Sequence, residues 1–332
     1  MCKNMKKLID DTKCQVLSEE QPDPGVLLRM LRLDPNSEEC AYLGKRARDV
    51  AEEVTDGIGS LNSSIGLDWM PCPISCAFCS LGKKWGLVSG NAILDDDDVI
   101  DTVDEVIRIR GLDRVTLRTT ETYDLQHLLE LGRRIRREVS GKYRLALNTR
   151  TLTKEDADEL HKAGFSSAYH ALRLGEGTDT PFDPEDRIRT MRAIAGSKLM
   201  LTSGIDPVGV EHTNEEILLR IGILRELGAK SVCSMRRKNV AGTPKGGLPE
   251  VSDKRMAQIA AVLRMAHPEW GVASSPIIPQ SLEWGANSIS VETGASPRRD
   301  HPDRIWNIMS HDEAEKVLEH AGYTLKRNRS PD

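Results

Sequence analysis

The chain has 332 residues, of which 39% are hydrophobic and 29% charged, with a formal net charge of −5 and an isoelectric point near 6.0. This size and composition suit one large globular domain with a small extension. The net negative charge excludes the general basic surface that binds nucleic acid or an acidic membrane. No apolar run approaches the ~18 residues of a membrane span, and the amino terminus lacks a signal-peptide core. We therefore expect a cytoplasmic protein.

Short β runs alternate with amphipathic helices along most of the chain, after a predicted helical segment at residues 26–55 that is expected to cover one end of the fold. This pattern is typical of βα units around a parallel sheet. Eight strands are predicted, at 65–70, 114–118, 143–147, 167–172, 198–204, 231–235, 272–276 and 288–292. The predicted fold class is α/β, a (βα)8 TIM-type barrel with an N-terminal helical extension. Its predicted parts are an extension at 1–60, the barrel at 61–297 and a polar C-terminal tail at 298–332.

Three cysteines, Cys72, Cys76 and Cys79, lie at CxxxCxxC spacing in a turn-prone loop after the first predicted strand. Three thiolates at this spacing can hold three irons of a 4Fe-4S cluster and leave the fourth iron open to a small molecule. A zinc site needs further ligands, and no other Cys or His lies within ten residues of this loop. A disulfide framework is disfavoured because the chain has seven cysteines and no signal peptide.

The cysteine motif, with the aromatic Phe78 before its last cysteine, resembles that of the radical S-adenosylmethionine (SAM) enzymes. In that superfamily the open iron chelates the amino and carboxylate groups of SAM, and an injected electron cleaves the sulfonium to give a 5′-deoxyadenosyl radical. The segments at 260–268, 285–287 and 294–297 resemble the biotin and thiamin synthesis associated region. They indicate the biotin synthase-like branch, which includes methylornithine synthase, the iron-iron hydrogenase maturase and an iron-guanylylpyridinol cofactor pathway protein, the last usually with a wider cysteine spacing.

The resemblance implies a 4Fe-4S cluster on the three cysteines and SAM as the second cofactor. Phe78 would lie against the adenine, and the segment Thr119-Thr120-Glu121 would support the SAM amino group. Arg173 and Glu176 would contact the SAM ribose or carboxylate, and Arg187 would pair with the carboxylate. The implied SAM-binding residues are thus Phe78, Thr120, Glu121, Arg173, Glu176 and Arg187. A reduced flavodoxin or ferredoxin is the implied electron donor.

Polar side chains crowd the carboxyl ends of the predicted strands, where the active sites of βα barrels lie. His170 follows the fourth strand, and the basic run Arg236-Arg237-Lys238 follows the sixth. This run could anchor an anionic substrate, although alternation along a strand lets at most one of the two arginines face the barrel. Glu292, on the eighth strand, could receive an ammonium or hydroxyl group. His170, Arg236 and Glu292 are therefore the candidate catalytic residues, and the expected substrate is a polar, anionic small molecule.

The expected function is reductive cleavage of SAM followed by hydrogen abstraction from this substrate, in cofactor or amino-acid biosynthesis. The product could arise by rearrangement, fragmentation or alkylation. One alternative is a non-catalytic iron-sulfur scaffold or electron-transfer protein. Another is sulfur insertion of the biotin or lipoyl synthase kind, which is disfavoured because no cysteine between Ser80 and Val232 could hold a sacrificial cluster. Substrate identity and the role of Cys233 stay open, as do any second metal site and the oligomeric state.

Overall fold

A computed structural model describes residues 2–294, 309–325 and 327. Eight parallel strands form a closed barrel, in which each strand pairs with its neighbours along the chain and the last pairs with the first. Ser60 lies opposite Ser288 and Gly66 opposite Gly294 across this closing seam. The strands are β1 Ile58–Gly66, β2 Arg114–Arg118, β3 Arg144–Asn148, β4 Ser167–Tyr169, β5 Met200–Val208, β6 Ser231–Arg236, β7 Gly271–Ser275 and β8 Ser288–Gly294. The predicted (βα)8 barrel is confirmed.

The first strand begins earlier than the sequence pattern indicates, at Ile58 instead of residue 65. Its middle is polar, which hides the strand from a search for apolar runs. Asn62 is fully buried, and its Nδ2 donates to Ser288 Oγ at 2.9 Å and to the Ile289 carbonyl at 3.2 Å on β8. The hydrogen bonds across the seam therefore replace apolar packing at this point. A separate two-residue strand, Asp68–Trp69, pairs with Ala92–Ile93 just before and after the cysteine loop.

The helices begin at the signals that the sequence contains. Thr153 and Thr213 each form a capping box, and Asp183 caps the helix that starts with Pro184. The helices are α1 Cys2–Leu17, α2 Pro24–Leu31, α3 Glu38–Thr55, α4 Asp96–Asp104, α5 Leu125–Glu138, α6 Lys154–Lys162, α7 Pro184–Ala195, α8 Asn214–Glu226, α9 Asp253–Ala266, α10 Pro279–Glu283 and α11 His311–His320. A 3₁₀ turn at Lys83–Trp85 and a π turn at Glu105–Ile109 complete them.

The amino-terminal helices form an outer layer on the side of the barrel. Every residue of α9 from Met256 to Ala266 is buried, so its outer face must be covered, and α1, α2 and α3 all pack against it. Gln258 Nε2 on α9 donates to the carbonyls of Met30 at 2.8 Å and Leu33 at 2.9 Å. The expectation that residues 26–55 close one end of the barrel is wrong. These residues pack against the outward, apolar face of α9, which solvent would otherwise reach.

The main hydrophobic core lies between the strands and the surrounding helices. Along β2 the outward residues Val115 and Leu117 are fully buried, whereas Arg114, Thr116 and Arg118 alternate with them and face the barrel axis. Apolar packing between β2 and the helices thus lies on the outer face of the barrel, and the inward positions of this strand are polar.

The chain beyond residue 297, expected to be a polar tail, contains ordered structure. In α11, Ala314 and Leu318 are buried, and the strand Thr324–Leu325 pairs with Ile58 and Gly59 of β1. Residues 295–297 of the predicted segment at 294–297 lie outside the described residues, and so do residues 298–308, 326 and 328–332 of the predicted tail. Within the described part, no helix is long and apolar enough to cross a bilayer.

Candidate active site

The cysteine loop lies at the carboxyl end of β1 and is closed by its own backbone. The Cys72 N–H donates to the Leu81 carbonyl at 2.6 Å, and the Lys83 N–H donates to the Cys72 carbonyl at 2.9 Å. Trp69, Leu81 and Val88 form a small apolar core on which Cys72 and Cys79 pack. The loop therefore has a defined shape before any cofactor is considered.

Trp85 supports the middle of the loop. Its indole Nε1 donates to the Cys76 carbonyl at 3.1 Å. This contact requires glycine at position 82, because a Cβ there would lie 2.2 Å from the Trp85 Nε1. The Gly82-Lys-Lys-Trp85 segment thus positions the central cysteine.

Two other loops hold the cysteine loop from the side. The Ala77 N–H donates to the Asp179 carbonyl at 2.7 Å, and the Lys245 N–H donates to the Ala77 carbonyl at 3.0 Å. The Lys245 ammonium lies 3.0 Å from Asp179 Oδ1 and 3.1 Å from Glu211 Oε1. With His212, these two carboxylates form a group whose ligand atoms lie within 4.8 Å of one another. Lys245 already supplies the positive charge there.

The three cysteines are free thiols that line one cavity of about 230 Å³. Within the described residues, their sulfurs are not a group that lies within 4.8 Å, whereas thiolates around one zinc ion stand about 3.8 Å apart. Burial raises the pKa of all three thiols, that of Cys79 to about 12. Thiolates buried in this way need a strong positive charge nearby, and their spread fits a multi-iron cluster better than a single ion.

The same cavity is lined by predicted site residues that lie far apart along the chain. Five of the six predicted SAM-binding residues line it, and so do all three candidate catalytic residues. Only Glu176 does not reach its surface, since the side chain is fully buried behind it. The lining residues predicted from sequence are Cys72, Cys76, Phe78, Cys79, Thr120, Glu121, His170, Arg173, Arg187, Arg236 and Glu292.

Arg187, on α7, lies at the centre of a charged group. Its guanidinium is 3.5 Å from Glu176 Oε1 and 3.7 Å from Glu121 Oε2, and it stacks 3.5 Å from the centroid of Phe182. Burial lowers the pKa of Arg187, and the two carboxylates oppose that shift. Its Nη1 also donates to His170 Nε2 at 3.4 Å. Because burial and the nearby arginines lower the pKa of His170 well below 6.5, this histidine is neutral.

Glu121 and Thr120 are each fixed by a second residue. Glu121 Oε1 accepts from the Thr151 N–H at 2.8 Å and from its hydroxyl at 2.7 Å. Thr120 donates its N–H to Asp68 Oδ1 at 2.7 Å and its hydroxyl to the other carboxylate oxygen. Burial raises the pKa of Asp68. Sequence analysis missed Asp68, although its place between β1 and the cysteine loop was a usable signal.

Arg173 connects the cysteine loop to the barrel. Its Nη1 lies 3.9 Å from Cys76 Sγ, its guanidinium is 6.0 Å from the Phe78 ring centroid, and its Nε is 3.9 Å from Asp206 Oδ2. The Arg173 backbone N–H donates to Glu176 Oε2 at 2.9 Å. Asp206 and Tyr169 also line the cavity, and Tyr169 was missed by sequence analysis.

Acidic residues of the chain neutralise the charges at the cavity rim. Arg236 Nη1 lies 2.5 Å from Asp253 Oδ1, and the buried Arg237 pairs with Glu211. Glu292 Oε2 lies 3.7 Å from Arg118 Nη1. Both arginines of the basic run reach the cavity lining, so the expectation that at most one would face the barrel is wrong. The strand ends at Arg236, and the alternation of side chains ends with it.

A closed parallel barrel with three free cysteines in the loop after its first strand is the arrangement expected of an iron-sulfur barrel protein. The chain is 30% identical over 210 residues to the biotin synthase of Nitratidesulfovibrio vulgaris strain DP4, a match that covers 59% of this chain and 56% of that relative. It thus spans just over half the length of that protein. This likeness supports the resemblance to the biotin synthase-like branch of the radical SAM superfamily that the cysteine motif indicates.

Solved structures agree with this fold. Methylornithine synthase superposes with a TM-score of 0.80 at 18% identity, covering 96% of this chain and 98% of that one. HydG, a maturase of the FeFe-hydrogenase, superposes with a TM-score of 0.80 at 16% identity, covering 98% and 76%. No protein-family model matches the chain.

Proposed function

We propose that this protein cleaves SAM reductively and uses the resulting radical to abstract hydrogen from a polar small molecule. One observation carries the proposal. Three free cysteines and five predicted SAM-binding residues, contributed by four separate parts of the chain, line a single cavity at the carboxyl mouth of the barrel. A barrel that merely stored iron and sulfur would not need the second group of residues.

Cys72, Cys76 and Cys79 would hold the cluster. When bound, the cluster supplies an electron to SAM, and cleavage of the sulfonium supplies the 5′-deoxyadenosyl radical. A reduced flavodoxin or ferredoxin is the proposed source of that electron. The protein's own contribution is the shape of the loop, which the Cys72–Leu81 hydrogen bond and the Trp85 indole fix.

The neighbouring side chains would orient SAM. Glu121 keeps one carboxylate oxygen on Thr151 and turns the other toward Arg187, so it can accept from the SAM amino group. Arg187 and Arg173 offer guanidinium groups that can bind the SAM carboxylate in a bidentate manner. Phe78 lies on the cavity wall, where an adenine can pack. Glu176 does not reach the cavity, but its ion pair with Arg187 would hold that guanidinium in position.

The substrate would lie on the barrel side of SAM. Neutral His170 can accept or donate one hydrogen bond there, while Arg236 and Glu292 mark the rim. We propose a polar, anionic substrate in cofactor or amino-acid biosynthesis that is rearranged, fragmented or alkylated. Sulfur insertion is the second candidate because the relatives include biotin synthases. The sequence offers no cysteine from Ser80 to Val232 for a sacrificial cluster, which favours the first candidate.

The test is anaerobic reconstitution with iron and sulfide, followed by incubation with SAM and dithionite. We expect 5′-deoxyadenosine and methionine in equal amounts in chromatograms of the wild-type reaction, and neither product from Cys76→Ala. Full iron loading without any SAM cleavage would contradict the proposed activity and favour the scaffold or electron-transfer alternative.

A further inference from the structure

The barrel interior below the active-site cavity is hollow and carries many small, hydroxyl-bearing side chains. Barrels of this kind are normally filled by layers of bulky branched side chains. Here the inward positions are mostly small and hydroxyl-bearing, and they surround a cavity of about 150 Å³. Among the residues that line it are Ser64, Thr116, Ser167, Thr202, Ser231 and Ser290. We call this space the lumen.

Arg114 lies at the wall of the lumen, on the first residue of β2. Its Nε is buried and has no hydrogen-bond partner. Over the described ranges 2–294, 309–325 and 327, no carboxylate forms an ion pair with its guanidinium. Burial lowers the pKa of Arg114 to about 10, so the group is still charged at neutral pH. A desolvated charge without an ion-pair partner is costly, and a bound anion can supply the partner that the described residues do not.

Neighbouring arginines show how unusual this is. Arg144 lies directly opposite Arg114 in the register of β3, but its Nη2 is 2.6 Å from Asp113 Oδ2 and its side chain is 41% exposed. Arg118, at the other end of β2, pairs with Glu292. Among the residues that the structure describes, Arg114 thus differs from these two arginines in having no acidic side chain in ion-pair contact.

Hydroxyl groups in the lumen are also unsatisfied. Ser167 Oγ and Ser203 Oγ are buried, and neither has a hydrogen-bond partner within the part of the chain that the structure describes. Buried polar groups of native proteins are nearly always paired. Together with Arg114, these hydroxyls place unpaired hydrogen-bond donors in the wall of the lumen.

The lumen adjoins the active-site cavity. Five residues line both spaces, namely Arg118, Asn148, Tyr169, Met235 and Glu292. A molecule bound in the lumen would therefore lie next to the space in which SAM is proposed to bind.

We propose that the lumen binds the carboxylate end of a small polar substrate, with Arg114 as its bidentate partner and the free hydroxyls as further donors. This assignment rests on the proposed function only in calling the ligand the substrate. It moves the anion-binding group from the rim, where Arg236 and Arg237 are already paired, to the wall of the barrel interior.

Cys233 provides a probe, because it lines the same cavity. Iodoacetate carries a carboxylate, and iodoacetamide is its neutral analogue. We would measure the rate at which each alkylates Cys233 in the reconstituted protein, by mass spectrometry of the peptide that contains it. A charge-assisted hydrogen bond is worth about 1.5–3 kcal/mol, or roughly tenfold or more in rate preference. The ratio of the iodoacetate to the iodoacetamide rate should therefore fall about tenfold in Arg114→Gln.

Arg144→Gln is the matched control, since it removes an arginine at the same register that has its own acidic partner. It should leave the ratio unchanged. An equal ratio in wild type and a folded Arg114→Gln protein would overturn the proposal. Circular dichroism checks folding of both variants.

A second measurement needs no variant. Acetate should protect Cys233 of the wild-type protein from iodoacetate, and acetamide at matched ionic strength should not. Equal protection by the two, or protection by inorganic phosphate alone, would overturn the carboxylate assignment. None of these assays involves SAM, so a wild-type protein that fails to cleave SAM yet shows the Arg114 effect would refute the proposed function and leave the anion site intact.

Discussion

Arg187 and Glu176 form an ion pair inside the protein, with Nε 3.5 Å from Oε1 and side chains that are 4% and 0% exposed. The pair lies directly behind the active-site cavity, and Arg187 alone reaches the cavity surface. Glu176 also accepts from the Arg173 N–H and the Thr180 hydroxyl. The pair therefore joins the loop after β4 to α7.

Removing Arg187 should cost stability as well as SAM affinity. Arg187→Met leaves the Glu176 carboxylate buried without its cation, and breaking such a pair costs about 3–5 kcal/mol in the free energy of unfolding. The double variant Arg187→Met/Glu176→Gln should recover much of that loss, because a glutamine can keep the bonds to Arg173 and Thr180. Urea unfolding of the apoprotein measures both. Arg192→Met, exposed on the same helix, is the control. Additive losses in the double variant would contradict the pairing.

The cysteine loop should account for all cluster binding. Reconstituted protein should hold about four irons per chain and give an electron paramagnetic resonance signal that SAM perturbs. Cys76→Ala should remove both the iron and the signal. Cys14→Ala, which changes an exposed cysteine on α1, should change neither. Stoichiometric zinc with no iron uptake would refute the assignment.

Asp68 should matter through Thr120. Asp68→Ala leaves the Thr120 N–H and hydroxyl without their acceptors, which costs about 1–3 kcal/mol when the donor is buried. Asp68→Asn keeps an acceptor for the N–H and should retain most of the stability. We also expect Asp68→Ala to weaken SAM binding, measured by equilibrium dialysis, because Thr120 lines the cavity. If Asp68→Ala matched wild type in both assays, Thr120 would not depend on this carboxylate.

Glu211 should make the free energy of unfolding fall as the pH is lowered into the acidic range. Partial burial raises its pKa, but hydrogen bonds from Arg237 and Lys245 prevail and lower it from 4.5 to about 2. A carboxyl whose pKa is lower in the folded state stabilises the protein above its unfolded pKa, and this contribution is lost as the pH falls through the folded pKa.

Wild type should therefore exceed Glu211→Gln by about 1 kcal/mol at pH 6, after allowance for solvent screening. The difference should shrink between pH 4.5 and about 2. Denaturant unfolding of the apoprotein at several pH values measures it. Glu226→Gln, on an exposed helix position, should show no such trend. If the stability difference between wild type and Glu211→Gln did not vary with pH, the charge of Glu211 would not be the source of the stabilisation at Arg237 and Lys245.

Local patterns predicted the parts of this molecule that depend on local sequence. The cysteine loop and the capping boxes at Thr153 and Thr213 are short-range features that depend on residues close together in the sequence. The early start of β1 was missed because Asn62 is satisfied by β8, more than two hundred residues away.

The roles of the polar residues depended on contacts across strands. Arg114 and Arg144 are both arginines at the start of a strand, and the sequence alone cannot separate them. Only the structure shows that Asp113 forms its ion pair with Arg144, which lies opposite Arg114 in the register. Asp68 likewise acquires its role only when β1 and β2 bring it to Thr120.

In this barrel, the residues that stabilise the fold are largely different from the residues that shape the interior cavity. The apolar layer between strands and helices, which includes Val115 and Leu117, holds the barrel together, whereas many of the residues that shape the lumen are small serines and threonines. Exchanging a lumen serine or threonine for another small side chain should therefore alter which molecule is accepted at little risk to folding. Scaffolds built in this way can diverge in chemistry while their outer shell stays the same, and the lumen of this protein is the place to begin redesigning what it acts on.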